Sequence, residues 1–120
     1  MNAYKFRLVL TDEARAFING LSDAAIYKIS YNIKRVAGGE RNNELFKKLA
    51  NTEIWEFRTL YKKTVYRLFA FWDRDEETLI IATHGIIKKT LKTPSKEIAK
   101  AEAIRKAYFD NKKSKTIWNK

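Results

Sequence analysis

The chain has no cysteine, one histidine, one proline and four glycines. Without cysteine there is no disulfide framework and no thiolate metal site. A single histidine argues against a histidine-built metal site. No apolar run is long enough to span a bilayer. The opening Met1-Asn2-Ala3-Tyr4-Lys5 lacks the apolar region of a signal peptide. There is no glycine-rich phosphate loop, no paired-histidine motif and no Cys/His nucleophile pair. Neither an internal repeat nor an interdomain linker is visible. The expectation is a soluble cytoplasmic domain, away from membranes, that works without a metal or cofactor.

What is present is a core and an excess of positive charge. A chain of 120 residues suits one compact domain, and 45% hydrophobic with 13% aromatic residues argues against disorder. The formal net charge of +11 makes polyanions the natural partners: nucleic acid, a phosphate-rich machine or an acidic protein. The plain alternative is a solubilising lysine surface.

Tyr4, Phe6, Leu8 and Leu10 alternate with Lys5 and Arg7, the pattern of a half-buried strand. Thr11 and Ser22 are placed to cap two helices. Ala14, Phe17, Ile18 and Leu21 stripe the first; Ile26, Ile29, Ile33 and Val36 stripe the second, which Gly38-Gly39 stops. Arg41 to Ala50 reads as a short helix or turn. Three runs rich in β-branched and aromatic residues follow, at Ile54–Arg58, Val65–Trp72 and Leu79–Gly85. The short breaks between them predict an antiparallel meander. Pro94 breaks the chain, Ser95 can cap a last helix, and Ile98, Ala101, Ile104 and Tyr108 supply its packing face. The expected architecture is a single α+β domain. It has a mainly antiparallel four-stranded sheet, an N-terminal helical hairpin and a C-terminal helix, with 1–109 as the domain and 110–120 as a basic tail.

Arg58 and Arg67 interrupt apolar strands, and a cation there must pair, snorkel or meet a ligand. With Lys62, Lys63, Lys88, Lys89, His84, Tyr61 and Tyr66 they form a set suited to a phosphodiester. Cations hold a phosphate and stabilise the charge of its transition state, and RNA supplies its own 2′-hydroxyl nucleophile. The alternatives stay open. Arg67 also suits a cross-strand pair with Glu56, and Arg58 one with Glu56 or Asp73. His84 suits a structural role as well as a catalytic one. Lys62-Lys63 suits a solvated turn. Trp55, Phe57, Phe69, Phe71 and Trp72 suit a core better than a base-stacking platform.

The ordered series Ile54-Trp55-Glu56-Phe57-Arg58, Tyr66-Arg67-Leu68-Phe69, His84-Gly85, Lys88-Lys89, Lys92-Thr93-Pro94, Glu97-Ile98, Ala101, Arg105 and Tyr108 resembles the RelE/ParE toxin superfamily. It is most similar to the phage-derived, HigB-like branch. The resemblance implies the toxin of a type II toxin–antitoxin pair. Such a toxin enters the ribosomal A site and cuts messenger RNA there without metal, and a helix-turn-helix, HigA-like antitoxin is its partner. It implies catalytic roles for Arg58, Arg67, Lys88 and His84; beside these, Lys62, Lys63, Lys89, Lys92 and Lys96 are the expected RNA or ribosome contacts. The rival readings are a ParE-like inhibitor of DNA gyrase, which shares the fold but cuts nothing, and a non-catalytic RNA-binding protein.

Overall fold

The computed structural model describes residues 6–88 and 92–118, with side chains as far as Lys113. In chain order the elements are β1 (Arg7–Leu10), α1 (Asp12–Asn19), α2 (Asp23–Ala37), β2 (Phe46–Lys48), β3 (Trp55–Tyr61), β4 (Thr64–Trp72), β5 (Leu79–Lys88) and α3 (Ser95–Trp118). The strands form one sheet in the order β1-β5-β4-β3-β2. β1 runs parallel to β5, and every other pairing is antiparallel.

Alternation along the strands gives the sheet two apolar faces, each with its own cover. Phe57, Leu68, Ala70, Ile80 and Ala82 face Ala14 and Phe17 of α1 and Ile33, Val36 and Ala37 of α2. Phe69, Phe71 and Ile81 face Ile98, Ala101, Tyr108 and Phe109 of α3. The two caps form as the sequence requires. The Thr11 hydroxyl accepts from the Ala14 N–H at 3.1 Å, and the Ser22 hydroxyl accepts from the Ala25 N–H at 3.2 Å. Thr11 also donates to the Thr83 carbonyl at 2.7 Å, tying the start of α1 to β5.

Four features differ from the sequence reading or extend it. The sheet has five strands, not four, because part of the expected helix or turn at Arg41–Ala50 is β2. Ring stacking explains this: Phe46 lies 4.3 Å from Phe57 and 4.7 Å from Trp55. β5 does not stop at Gly85 but continues to Lys88. Gly85 serves packing rather than a turn, since a Cβ there would sit 2.3 Å from the Phe17 ring. α3 continues past Tyr108 to Trp118. Tyr4 and Lys5 of the expected first strand lie outside the described residues.

Asp73, at the end of β4, anchors the far half of α3. It accepts from the Tyr108 hydroxyl at 2.5 Å, from Lys112 at 2.7 Å, and from the Asp75 and Glu76 N–H groups. Burial alone would raise its pKa, but these donors outweigh burial and hold it well below the usual carboxylate range. Burial and the Asp73 carboxylate push the Tyr108 hydroxyl up to about 12.

Candidate active site at one end of the α3 face

Strand register brings the expected residues onto one face. Arg58 of β3 stands directly opposite Arg67 of β4, which stands opposite Ile86 of β5. Glu56 shares that face, one alternation from Arg58. Two guanidinium groups directly opposed repel each other unless an anion lies between them. Glu56 is that anion. Its Oε2 accepts from Arg67 Nη1 at 2.9 Å, and its Oε1 lies 3.6 Å from Arg58 Nε. Thr93, just before α3, completes the cluster. Its hydroxyl donates to Glu56 Oε2 at 2.9 Å and accepts from Arg67 Nη1 at 3.1 Å.

The two arginines are not equivalent. The Arg67 side chain is 0% exposed, so its guanidinium has no surface to offer a phosphate in this structure. The Arg58 side chain is 18% exposed and holds Glu56 only at the longer distance. Arg58 is the guanidinium with an open side. Lys88 lies on the same face, opposite Val65 and two residues along β5 from Ile86, and is half-buried. Two strand spacings, about 10 Å, separate the Arg58 and Ile86 backbones.

His84 reaches this face through a β-bulge. Phe69 pairs with His84 and Ala70 with Ala82, so Thr83 is the extra residue. The bulge turns His84, Ile86 and Lys88 toward α3 and Gly85 toward α1. His84 is buried beside the Phe69 ring, with Nδ1 2.9 Å from the Thr83 hydroxyl and Nε2 3.1 Å from Glu97 Oε1. Burial lowers its pKa, against the opposing pull of Glu97. Nε2 faces the Glu97 carboxylate and Nδ1 faces the Thr83 hydroxyl, which also donates to the Phe69 carbonyl at 3.3 Å. Glu97 lies in the first turn of α3, so the pair pins that turn to β5.

The remaining lysines are spread around this end. Lys62 and Lys63 form the two-residue β3–β4 turn, both exposed and both at positive φ, 49° and 63°. The turn adjoins the Leu60–Val65–Lys88 row, at the same end as Lys88. Lys92 and Lys96 are exposed just before α3 and in its first turn. Lys89 lies outside the described residues. Among the described residues no cluster of His, Cys, Asp and Glu could hold a metal ion, and no helix is long and apolar enough to cross a membrane.

Residues 16–106 match the family model described as phage derived protein Gp49-like (DUF891). The chain belongs to this Gp49-like family. No curated protein matches it. Among solved structures, it is similar to the intact Escherichia coli RelBE toxin–antitoxin complex, at 18% identity and a TM-score of 0.52, covering 75% of this chain and 100% of that one. It also matches the toxin–antitoxin complex RelBE2 from Mycobacterium tuberculosis at 17% identity and a TM-score of 0.49, covering 72% and 95%. The Gp49-like chain therefore has the RelE-like fold, with a five-stranded sheet. The matched segment contains every candidate residue and leaves out β1, the start of α1 and the end of α3.

Three residues that organise the Gp49-like site draw no role from the sequence: Thr83, Thr93 and Glu97. Thr93 and Glu97 stand inside the family-like series, but nothing in residue type announces a buried hydroxyl bridge or a histidine partner. A lone arginine in an apolar strand does announce a buried acid, and Glu56 is the acid that answers to it.

Proposed function

We propose that this protein is the toxin of a type II toxin–antitoxin pair and a ribosome-dependent messenger-RNA endonuclease of the HigB-like kind. The observation that carries this reading is that Arg58 of β3 and Lys88 of β5 share the α3 face with the Arg67–Glu56–Thr93 cluster. Arg58 and Lys88 hold the scissile phosphate and stabilise the charge that grows on its oxygens. The 2′-hydroxyl of the RNA attacks phosphorus and gives up its proton. The P–O5′ bond breaks, leaving a 2′,3′-cyclic phosphate and a protonated 5′-hydroxyl. Arg67 acts as a positioning residue, fixing Glu56 and through it Arg58. His84, enclosed by Thr83, Phe69 and Glu97, holds α3 in place rather than meeting substrate.

Lys62, Lys63, Lys92 and Lys96 contact RNA or the ribosomal A site from the rim, and Lys89 contributes to the same binding. The working compartment is the cytoplasm. The antitoxin is a helix-turn-helix protein of the HigA kind; the Escherichia coli structure of similar fold is itself a toxin–antitoxin complex. The test is cleavage of message on programmed ribosomes against the same RNA free in solution, with and without chelator. Cutting on the ribosome, weak cutting of free RNA and indifference to chelator are expected, with Arg58→Ala folded and defective. Equal cutting of free RNA, activity that tracks metal removal, or a fully active Arg58→Ala protein would each overturn the reading.

A further inference from the structure

A second site lies on the opposite face of the sheet. Where β3 begins and β4 ends, a groove of about 310 Å³ opens between the sheet and the loop after α2. Its walls are Phe6, Phe46, Trp55 and Trp72, and its rim carries Arg41 and Asn43. Phe46, Trp55 and Trp72 remain half-buried although Phe46 and Trp72 pack against the core. A volume near 300 Å³ with aromatic walls and a few polar groups is the character of a small-molecule pocket.

The lining rings pack on one another. Trp55 and Phe46 are stacked, 4.7 Å apart and 24° from parallel, so each covers one face of the other, and Phe57 stacks on Phe46 as well. Trp72 stands at 83° to Trp55 and 63° to Phe46. The aromatic surface that the half-buried Trp55 and Trp72 leave open at the groove fits a planar ring better than a branched aliphatic chain. The rim adds charge of one sign. Glu40 lines the groove too, but Arg35 holds its carboxylate through both oxygens, at 2.8 and 2.5 Å. Arg41 is the rim cation left facing outward, within a molecule of net charge +11. Asn42 spends its side-chain oxygen on the Glu44 N–H, whereas Asn43 is exposed at the mouth. An amide beside a planar ring recognises the donors and acceptors of a base edge, and a guanidinium recognises phosphate.

We infer that this groove binds one nucleotide of single-stranded RNA, with the base against the open surface of Trp55, its edge at Asn43 and its phosphate at Arg41. The inference stands apart from the endonuclease reading, because Trp55 and Arg58 point to opposite faces of β3.

Two of the chain's three tryptophans line the groove, so binding is read directly from their emission. A Trp118→Phe protein removes the third signal. It is titrated with a short oligoadenylate, with adenosine monophosphate and with ribose 5-phosphate. Saturable quenching by the oligoadenylate is expected, weaker binding of the mononucleotide, and no quenching by ribose 5-phosphate. Trp55→Ala should weaken binding roughly tenfold or more, the scale of one base–aromatic stack. Arg41→Ala and Asn43→Ala sit on an exposed loop and keep the test valid if Trp55→Ala fails to fold. Arg41→Ala should weaken binding of every oligonucleotide, and Asn43→Ala should narrow the difference between adenylate and uridylate. No quenching at millimolar oligoadenylate, equal quenching by ribose 5-phosphate, or affinity unchanged in both loop variants would overturn the inference. Mononucleotide binding as tight as oligonucleotide binding would overturn RNA as the occupant.

Discussion

At the residue scale the two strand arginines divide a task between them. From sequence alone, Arg67 is either a phosphate ligand or half of an exposed salt bridge worth about 1 kcal/mol or less. The structure puts it in a third situation, since both partners of the Arg67–Glu56 bridge are fully buried. Removing one partner of a buried pair costs roughly 3–5 kcal/mol when no counterion is left, and Glu56 keeps Arg58 at 3.6 Å, which sets the low end of that range for Arg67. Arg67→Ala is therefore expected to lower stability on that scale, seen as a fall in the urea midpoint. Removing both charges together, in Arg67→Met with Glu56→Leu, should recover most of the deficit. A full-cost double variant would mean that the cluster is held by something other than the pair. Arg58→Ala should behave in the opposite way, with stability within about 1 kcal/mol of the parent. Its cleavage rate should fall by about two to three decades if it holds the reacting phosphate. The type of these residues is legible in the chain. Their burial is not, because burial of Arg67 depends on strand register and on Thr93, far away in sequence.

At the element scale the alternation in β1, the β-branched and aromatic runs of β3 and β4, and the helix stripes of α1 and α2 are plain in the sequence, and the elements form where those patterns lie. Structure and sequence part where packing overrides local pattern. β2 is too short to alternate and exists because Phe46 stacks into a row of rings. The bulge at Thr83 has no sequence mark, yet it decides which face receives His84 and Lys88. Gly85 reads as a strand terminator and is instead the gap that Phe17 fills. Gly85→Ala should cost about 1–3 kcal/mol by overpacking, and less in a Phe17→Ala background. Equal costs in the two backgrounds would deny the contact. The His84–Glu97 link between β5 and α3 gives a pH signature. Glu97, Lys100 and Glu13 are the charged groups that act on the ring, and burial keeps its folded pKa below the unfolded value of about 6.5. The unfolded chain then takes up the proton first as pH falls. This contribution to stability is complete above about pH 6.5 and is lost between there and the lower folded pKa. Denaturation midpoints at pH 7.5 and pH 5 should differ by less in His84→Gln than in the parent.

At the scale of the whole molecule the charge excess is visible from composition alone, but not where the charge stands out. One place is the Lys62-Lys63 turn. A two-residue hairpin turn with both φ values positive is the geometry that favours Asn-Gly. A lysine in this left-handed region carries a penalty of roughly 1–2 kcal/mol from its Cβ, and adjacent ammonium groups repel each other as well. Stability alone would not select two lysines there, so Lys62→Asn with Lys63→Gly should raise the denaturation midpoint. If the turn only solubilises the protein, nothing else should change. If it grips RNA, as proposed, affinity should fall for every sequence alike. The dependence of log affinity on log salt should then flatten by about 0.7 for each phosphate the variant no longer neutralises. The measurement is a salt titration of binding to single-stranded RNA, run beside urea unfolding of the same samples. A more stable variant with an unchanged salt slope would return the turn to the solvated surface. A variant that gains stability while its salt slope flattens would show the chain giving up fold energy at a turn that projects from the sheet beside Lys88.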